Sequence, residues 1–272
     1  MDINNIQKPK SEVNPSTTKQ ENPSKKRNKL TSTGIISSLL PIVAGTLSLI
    51  AGFDCSQNSK YLGGLGKTLL AIAILVSVLL PLVCPIAFKG KRDLSALEKA
   101  KWLHLIPALA SFYLSGYTLL NDLGEWGDAI LLLSLLAGIF FILKIIDGKE
   151  AIKIGGICCL LLLGTAIIAL LYLDFDIELN SPFKLAVQFG AVGLMLGTVA
   201  DARVILARIG AGWFITLKSI ASSLCLICAG LIFVAFAQGF TVLPQIYLVC
   251  AVLYSGYAIS AIGETFSLSS GI

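Results

Sequence analysis

Charged residues are scarce in this sequence. Only 14% of its 272 residues are charged, whereas 56% are hydrophobic; a soluble globular domain carries about 25% charged residues. A soluble core of this size has no room for so much apolar surface, which excludes a water-soluble enzyme. We therefore expect an integral membrane protein that crosses the bilayer several times.

Histidine is rarer still, because His104 is the only one in the chain. A single histidine excludes a histidine-based metal cluster within one chain, and of the seven cysteines only Cys55 lies outside an apolar run, so no disulfide framework is expected. The sequence also lacks the H-E-x-x-H, G-x-x-x-x-G-K-[ST] and G-x-G-x-x-G motifs. We expect no enzyme activity, no catalytic residue, no cofactor and no metal site.

The first 30 residues form a polar tail. They include three prolines, many serine, threonine, asparagine and lysine residues, and no aromatic residue. Such a segment buries too little apolar surface to order itself. We predict a disordered, basic, cytoplasmic tail over residues 1–30.

Apolar runs of about 20 residues fill the rest of the chain. Each is long enough to cross a bilayer as a helix, and helices satisfy their own backbone groups in lipid. The fold class predicted is an all-α, polytopic transmembrane helical bundle of about eight spans, with the third helix starting before its span, near Leu94. The predicted spans are 34–53, 68–88, 103–120, 129–146, 154–173, 183–200, 213–237 and 241–262.

Lysine and arginine are distributed unevenly between the loops. With the tail inside, 17 of the 21 basic residues fall on the inner side, and only Lys60, Lys67 and Lys184 fall outside. The positive-inside rule then places both termini in the cytoplasm of a multi-pass plasma-membrane protein. The basic residues beside the spans suit anionic lipid headgroups at the inner face, so we expect the bilayer as partner and no nucleic acid. Protein partners and homo-oligomerisation stay open.

An internal repeat relates residues 34–59 to residues 156–181. The two segments are identical at ten of 26 positions without a gap. The most informative match is Phe-Asp, three residues, then Asn-Ser, after the first and fifth spans. This favours a 4+4 parallel duplication, with transmembrane halves over 31–150 (spans 1–4) and 151–272 (spans 5–8).

The repeated motif has two interpretations. One is a paired polar site on the outer face, formed by Asp54, Asn58, Asp176 and Asn180. The other, which we favour, is helix capping: a serine followed by Pro182 is a typical start for the sixth span, and the serine after Asn58 stands in the matching place before the second.

Ionisable or strongly polar residues inside a span are functional candidates by default, and three of these are Lys218, His104 and Gln188. For Lys218 we favour snorkelling of the amine to the inner headgroups. We interpret His104 as an interfacial hydrogen-bonding residue and Gln188 as a helix–helix hydrogen-bonding residue. No acidic residue lies at the centre of a span, which weakens a proton-coupled or cation-coupled pump.

Small residues recur at four-residue spacing, which lets helices approach closely. These stripes predict tight contacts within the bundle. They are Ala44-Ser48-Gly52, Gly193-Gly197 and Ser219-Ser223.

The stretch from Glu178 to Leu185 (ELNSPFKL), continuing to Gln188-Phe189, resembles a loop of uncharacterised bacterial eight-span integral membrane proteins. The resemblance implies a bacterial origin and an eight-span fold. It implies no activity and no functional residue.

Two functions fit these features. The first is a small transporter or permease-like bundle, which the repeat and the proline-containing spans favour. The alternative is a non-transporting scaffold or regulatory subunit of a larger complex, which the absence of midplane charges favours.

Overall fold

A computed structural model describes most of the chain. The described residues are 23–54, 63–84, 94–121, 125–146, 182–205, 210–239 and 244–270. All secondary structure in these ranges is helical, and they contain no β-strand. The predicted all-α fold is therefore confirmed for this part of the chain.

Seven α-helices account for nearly all of these residues. A short 3₁₀ turn, Pro81–Val83, follows the second helix, and a 3₁₀ segment, Leu94–His104, leads directly into the third. The helices are α1 (Pro23–Phe53), α2 (Gly64–Leu79), α3 (Leu105–Leu120), α4 (Glu125–Ile145), α5 (Pro182–Ile205), α6 (Ala211–Ala237) and α7 (Pro244–Ser270).

Five stretches within these helices are long and apolar enough to cross a membrane: 35–53, 64–83, 100–120, 211–237 and 247–269. A shorter apolar helix covers Leu131–Ile145. The length and composition of these helices thus support the prediction of a membrane protein.

Helices occur at seven of the eight predicted spans. The fifth span, 154–173, lies outside the described residues, as do the whole second copy of the repeat, 156–181, and residues 1–22. Helix α1 starts at Pro23, inside the segment predicted to be disordered. The third helical stretch starts at Leu94, as predicted.

Helix α6 lies at the centre of the bundle. It packs against α1, α5 and α7 along its length, and α3 packs between α4 and α7. Most of its side chains are buried, including Lys218 and the two cysteines Cys225 and Cys228. A helix that is apolar on every side is typically buried inside a bundle. Side chains of the neighbouring helices therefore surround α6.

Small residues form the contact between α1 and α6, as their spacing predicts. Ala44 and Ser48 are fully buried, and a Cβ added at Gly52 would lie 2.9 Å from Val234. Towards the N-terminal ends of the apolar stretches of the two helices, the Ser219 hydroxyl donates a 2.7 Å hydrogen bond to the Ser37 carbonyl oxygen. We call this contact the α1–α6 seam.

Helix α5 approaches α6 equally closely. A Cβ at Gly193 would lie 2.9 Å from the carbonyl oxygen of Ala221, and a Cβ at Gly197 would overlap the Tyr257 hydroxyl of α7. The Gly193-Gly197 pair therefore marks a close helix contact, as its spacing predicts.

Candidate functional site: a buried ionic cluster

Lys218 does not snorkel. Its side chain is completely buried, and its ammonium lies 2.8 Å from Asp201 Oδ2 on α5 and 2.9 Å from Glu264 Oε2 on α7. The contact with Asp201 is a hydrogen bond, whereas the Glu264 oxygen accepts no hydrogen bond, so the second contact is an ion pair without hydrogen-bond geometry. The prediction that Lys218 reaches the inner headgroups is wrong, because two buried carboxylates hold it inside the bundle.

A second lysine completes the charge balance. Lys144, near the end of α4, donates hydrogen bonds to Asp201 Oδ1 at 3.0 Å and to Glu264 Oε1. Its side chain is 18% exposed and is the most exposed of the four charged ones. Each carboxylate therefore pairs with both lysines. Two positive and two negative charges meet with a net charge of zero, which offsets part of the cost of removing them from water.

His104 joins the same group from the end of the 3₁₀ segment. Its Nε2 lies 3.0 Å from Glu264 Oε1, and the side chain is 1% exposed. Its ring is nearly parallel to that of Phe141, with centroids 6.1 Å apart. The sequence placed His104 as an interfacial residue, whereas the structure makes it the fifth member of a buried network.

Aromatic rings cover both lysines. The Lys218 ammonium lies 5.4 Å from the centroid of Tyr257 and 5.7 Å from that of Phe214, and the Lys144 ammonium lies 5.7 Å from that of Phe140. These distances are within the range of cation–π attraction. The rings keep the charges in low-dielectric surroundings, where each pairing is strong.

The five ionisable residues come from five separate segments. We call this group the ionic cluster: His104, Lys144, Asp201, Lys218 and Glu264. His104 ends the 3₁₀ segment and Lys218 lies near the start of α6, whereas the other three lie near the ends of α4, α5 and α7. The cluster therefore ties five segments together at one end of the bundle.

Sequence reasoning missed the cluster because hydropathy ends a span at the first charge. The predicted spans stopped at residues 200 and 262, one and two positions before Asp201 and Glu264, but the helices continue to Ile205 and Ser270. Lys144 lies near the end of the predicted span 129–146 and was counted among the basic residues of the inner side. The usable signal in the sequence was that no glycine or proline follows Asp201 before Gly210, or Glu264 before Gly271, so nothing ends either helix at its charge.

The predicted outer-face pair is only partly within the described residues. Asp54 directly follows α1, and its Oδ2 accepts a 2.6 Å hydrogen bond from the backbone N–H of Gly66, in the first turn of α2. This is a capping interaction from outside the helix, with a negative charge at a helix N-terminus. Asn58, Asp176 and Asn180 lie outside the described residues, so the paired site stays a prediction.

The remaining site predictions concern Gln188 and metal binding. Gln188 is half-buried on α5, and its predicted hydrogen-bonding role stays a prediction. Within the described ranges, no group of three or more His, Cys, Asp or Glu side chains is arranged to hold a metal ion. The two carboxylates of the cluster are occupied by lysines instead.

Comparison with known proteins gives no relative. The chain has no significant match to a protein family, to a curated protein or to a solved structure. The resemblance of residues 178–189 to bacterial eight-span proteins stays a prediction, and the ionic cluster is the feature from which function must be argued.

Proposed function

We propose that the protein is a small permease-like transporter of the plasma membrane, in which the ionic cluster closes the cytoplasmic end. The chain would cross the bilayer eight times with both termini inside. Helices α4 and α5 and residues 154–173 would supply the spans beyond the five long apolar stretches. This topology puts the cluster on the inner side, next to the anionic headgroups that the basic loops favour.

The observation that carries this proposal is the convergence of five ionisable side chains, four of them buried, from five segments. Charges inside a membrane bundle are costly and mark pathways for ions or substrates by default. A well-packed apolar contact would hold the helices at least as firmly as buried ion pairs do. An ion-pair network differs from such a contact because it can be broken and re-formed, which is what a gate requires.

The predicted parallel 4+4 repeat would support the same function. Parallel repeats occur in transporters, where the two halves move against each other around a site. If spans 1–4 and 5–8 are such halves, the cluster joins them: His104 and Lys144 come from the first half, and Asp201, Lys218 and Glu264 come from the second. Breaking the cluster would remove the ionic contacts between the halves at that end of the bundle, while α1 would still pack against α6.

A scaffold or regulatory subunit is the second candidate, and the charge balance of the cluster favours it. Because two lysines and two carboxylates neutralise each other completely, the cluster also suits a static clamp that fixes the helices for a partner. The two functions differ in whether the cluster opens.

Cys225 can report that opening. It lies on α6, seven residues beyond Lys218, fully buried among Phe140, Phe141 and Tyr257. In a full-length protein that keeps only this cysteine, reconstituted in liposomes, a membrane-impermeant cationic thiol reagent should label Cys225 slowly from the cluster side. We expect Glu264→Gln to increase that rate severalfold, because the neutral side chain no longer pairs with both lysines.

The matched control is Glu98→Gln, which removes one carboxylate from an exposed position of the 3₁₀ segment. It should leave the labelling rate unchanged. A scaffold predicts that Cys225 resists the reagent in every variant, including Asp201→Asn, while Glu264→Gln only lowers thermal stability. That result would overturn the transporter proposal.

A further inference from the structure

The hydrogen bond between His104 and Glu264 fixes which imidazole nitrogen carries the proton. Glu264 is ionised beside two lysines, and an ionised carboxylate only accepts hydrogen bonds. The 3.0 Å contact with His104 Nε2 therefore requires the proton on Nε2. In the neutral ring, Nδ1 then carries a free lone pair.

That second nitrogen is buried and has no hydrogen-bond partner among the residues that the structure describes. A buried acceptor without a partner is unusual in a folded protein. The other nitrogen of the same ring, Nε2, contacts Glu264, and Glu264 in turn contacts both lysines. His104 thus offers a vacant position for one proton at the edge of the ionic cluster.

The surroundings decide where an added proton can rest. The charged and titratable groups that face the His104–Glu264 pair are Lys144 from α4, Asp201 from α5, and Lys218 from α6, with Tyr257 from α7 beside Lys218. The two lysines are already protonated. In either place the proton raises the net charge of the cluster by one. On the imidazole it would add a third buried cation beside the two lysines, whereas on Glu264 it would add no buried cation but would remove one carboxylate partner from each lysine.

We propose that His104 and Glu264 form a proton-binding site that couples proton uptake to opening of the ionic cluster. This inference rests on the proposed transporter function and names the proton as the coupling ion. An incoming proton bonds to Nδ1, the Nε2–H bond breaks, and that proton bonds to Glu264 Oε1. The imidazole ends neutral with its proton on Nδ1, and the new carboxylic acid donates to Nε2 along the same contact.

The proton changes the balance of the cluster. Neutral Glu264 no longer attracts Lys144 and Lys218, so both lysines share Asp201 as their only carboxylate and the cluster carries one excess positive charge. This favours separation of α7 from α4 and α6 at that end of the bundle. Histidine–carboxylate chains of this kind are the usual proton relays of membrane proteins.

The chain offers a direct test because His104 is its only histidine. Full-length protein labelled with ¹⁵N-histidine in lipid bilayers gives one Nδ1 and one Nε2 signal in solid-state NMR. Because burial and the two neighbouring lysines both oppose proton uptake by this pair, we expect the proton to move from Nε2 to Nδ1 below about pH 6, the lower part of the range in which histidine ordinarily changes charge. Nitrogen signals that do not change with pH, or an imidazolium formed while Glu264 stays ionised, would overturn the proposal.

Infrared difference spectra over the same pH range locate the other end of the transfer. A carboxylic-acid C=O band should appear on acidification, be absent in Glu264→Gln, and remain in Asp201→Asn. His104→Gln keeps an amide donor for Glu264 but has no titratable nitrogen, so the band should be lost from this pH range. A band that persists unchanged in His104→Gln would contradict the relay.

These measurements need no transported substrate, so they separate the two proposals. A proton shift without any labelling of Cys225 would remove the transporter and keep the proton site. Labelling of Cys225 that responds to Glu264→Gln but not to pH would keep the transporter and remove proton coupling.

Discussion

The α1–α6 seam and the ionic cluster meet on the central helix at consecutive residues. Ser219 bonds to Ser37 of α1, whereas Lys218 turns to Asp201 and Glu264 on the other side. The seam is uncharged and built from small residues that let two helices touch. The cluster is charged and built from long side chains that bridge a wider space. One helix therefore carries a tight contact on one side and an ionic contact on the other.

The two regions differ in how their polar groups are satisfied. The hydroxyls of Ser222 and Ser223 on α6 donate to the carbonyl oxygen of Ser219 in their own helix, so they keep a partner if a neighbouring helix moves. Each charge of the cluster depends on partners from other helices. Separation of α1 from α6 would break the Ser219–Ser37 contact but leave these two hydroxyls bonded, whereas separation of the helices in the cluster would deprive charged groups of their partners.

Removing Lys218 should have the largest effect. In Lys218→Met, Asp201 and Glu264 remain buried with only the partly exposed Lys144 as a counter-charge. Loss of one partner from a buried ion pair costs about 3–5 kcal/mol, and we expect a decrease of that order in the free energy of unfolding, measured by denaturant titration in detergent micelles.

Two comparisons sharpen this prediction. Lys67→Met, at an exposed position of α2, should have little effect. The double variant Lys218→Met/Asp201→Asn restores a net charge of zero and should be more stable than the sum of the two single changes implies, since residues in one ionic network do not act additively. Equal losses for Lys218→Met and Lys67→Met would show that the cluster does not stabilise the fold.

This difference between the regions also explains what the sequence could predict. The stripe Ala44-Ser48-Gly52 lies within one helix, so its spacing alone indicates a close contact. The cluster joins residues as distant as His104 and Glu264, 160 positions apart, and only the arrangement of helices brings them together. The helical fold followed from hydropathy, whereas the site did not, because its charges lie where hydropathy places the ends of the spans.

Gly197 lies in a close helix contact and also next to a side chain that covers the ionic cluster. Replacing it by a larger residue should reduce stability by an intermediate amount. A Cβ at this position would overlap the Tyr257 hydroxyl, and Tyr257 covers Lys218. Gly197→Ala must therefore displace the tyrosine ring, at a cost of about 1–3 kcal/mol for an overpacked core. Thermal unfolding in micelles measures the loss.

The control is Gly116→Ala on α3, where an added Cβ meets no atom within 4 Å. Because alanine is the better helix former, this change should stabilise the protein by about 0.5–1 kcal/mol. We therefore expect Gly197→Ala to lower the stability of the protein and Gly116→Ala to raise it. A neutral Gly197→Ala would mean that α5 and α7 have room to separate at this point.

The smallest effect is expected in the seam, from Ser219→Ala. The change removes the 2.7 Å hydrogen bond to the Ser37 carbonyl and the 3.2 Å contact between the two hydroxyls, but it leaves no charge exposed and keeps the close helix contact. Hydrogen bonds between membrane helices contribute about 0.6 kcal/mol on average, and we expect a loss of that size in denaturant titration. Ser255→Ala, which removes a hydroxyl bonded only within its own helix, is the matched control and should change stability less. A loss for Ser219→Ala as large as that for Lys218→Met would show that the seam, rather than the cluster, holds this end of the bundle together.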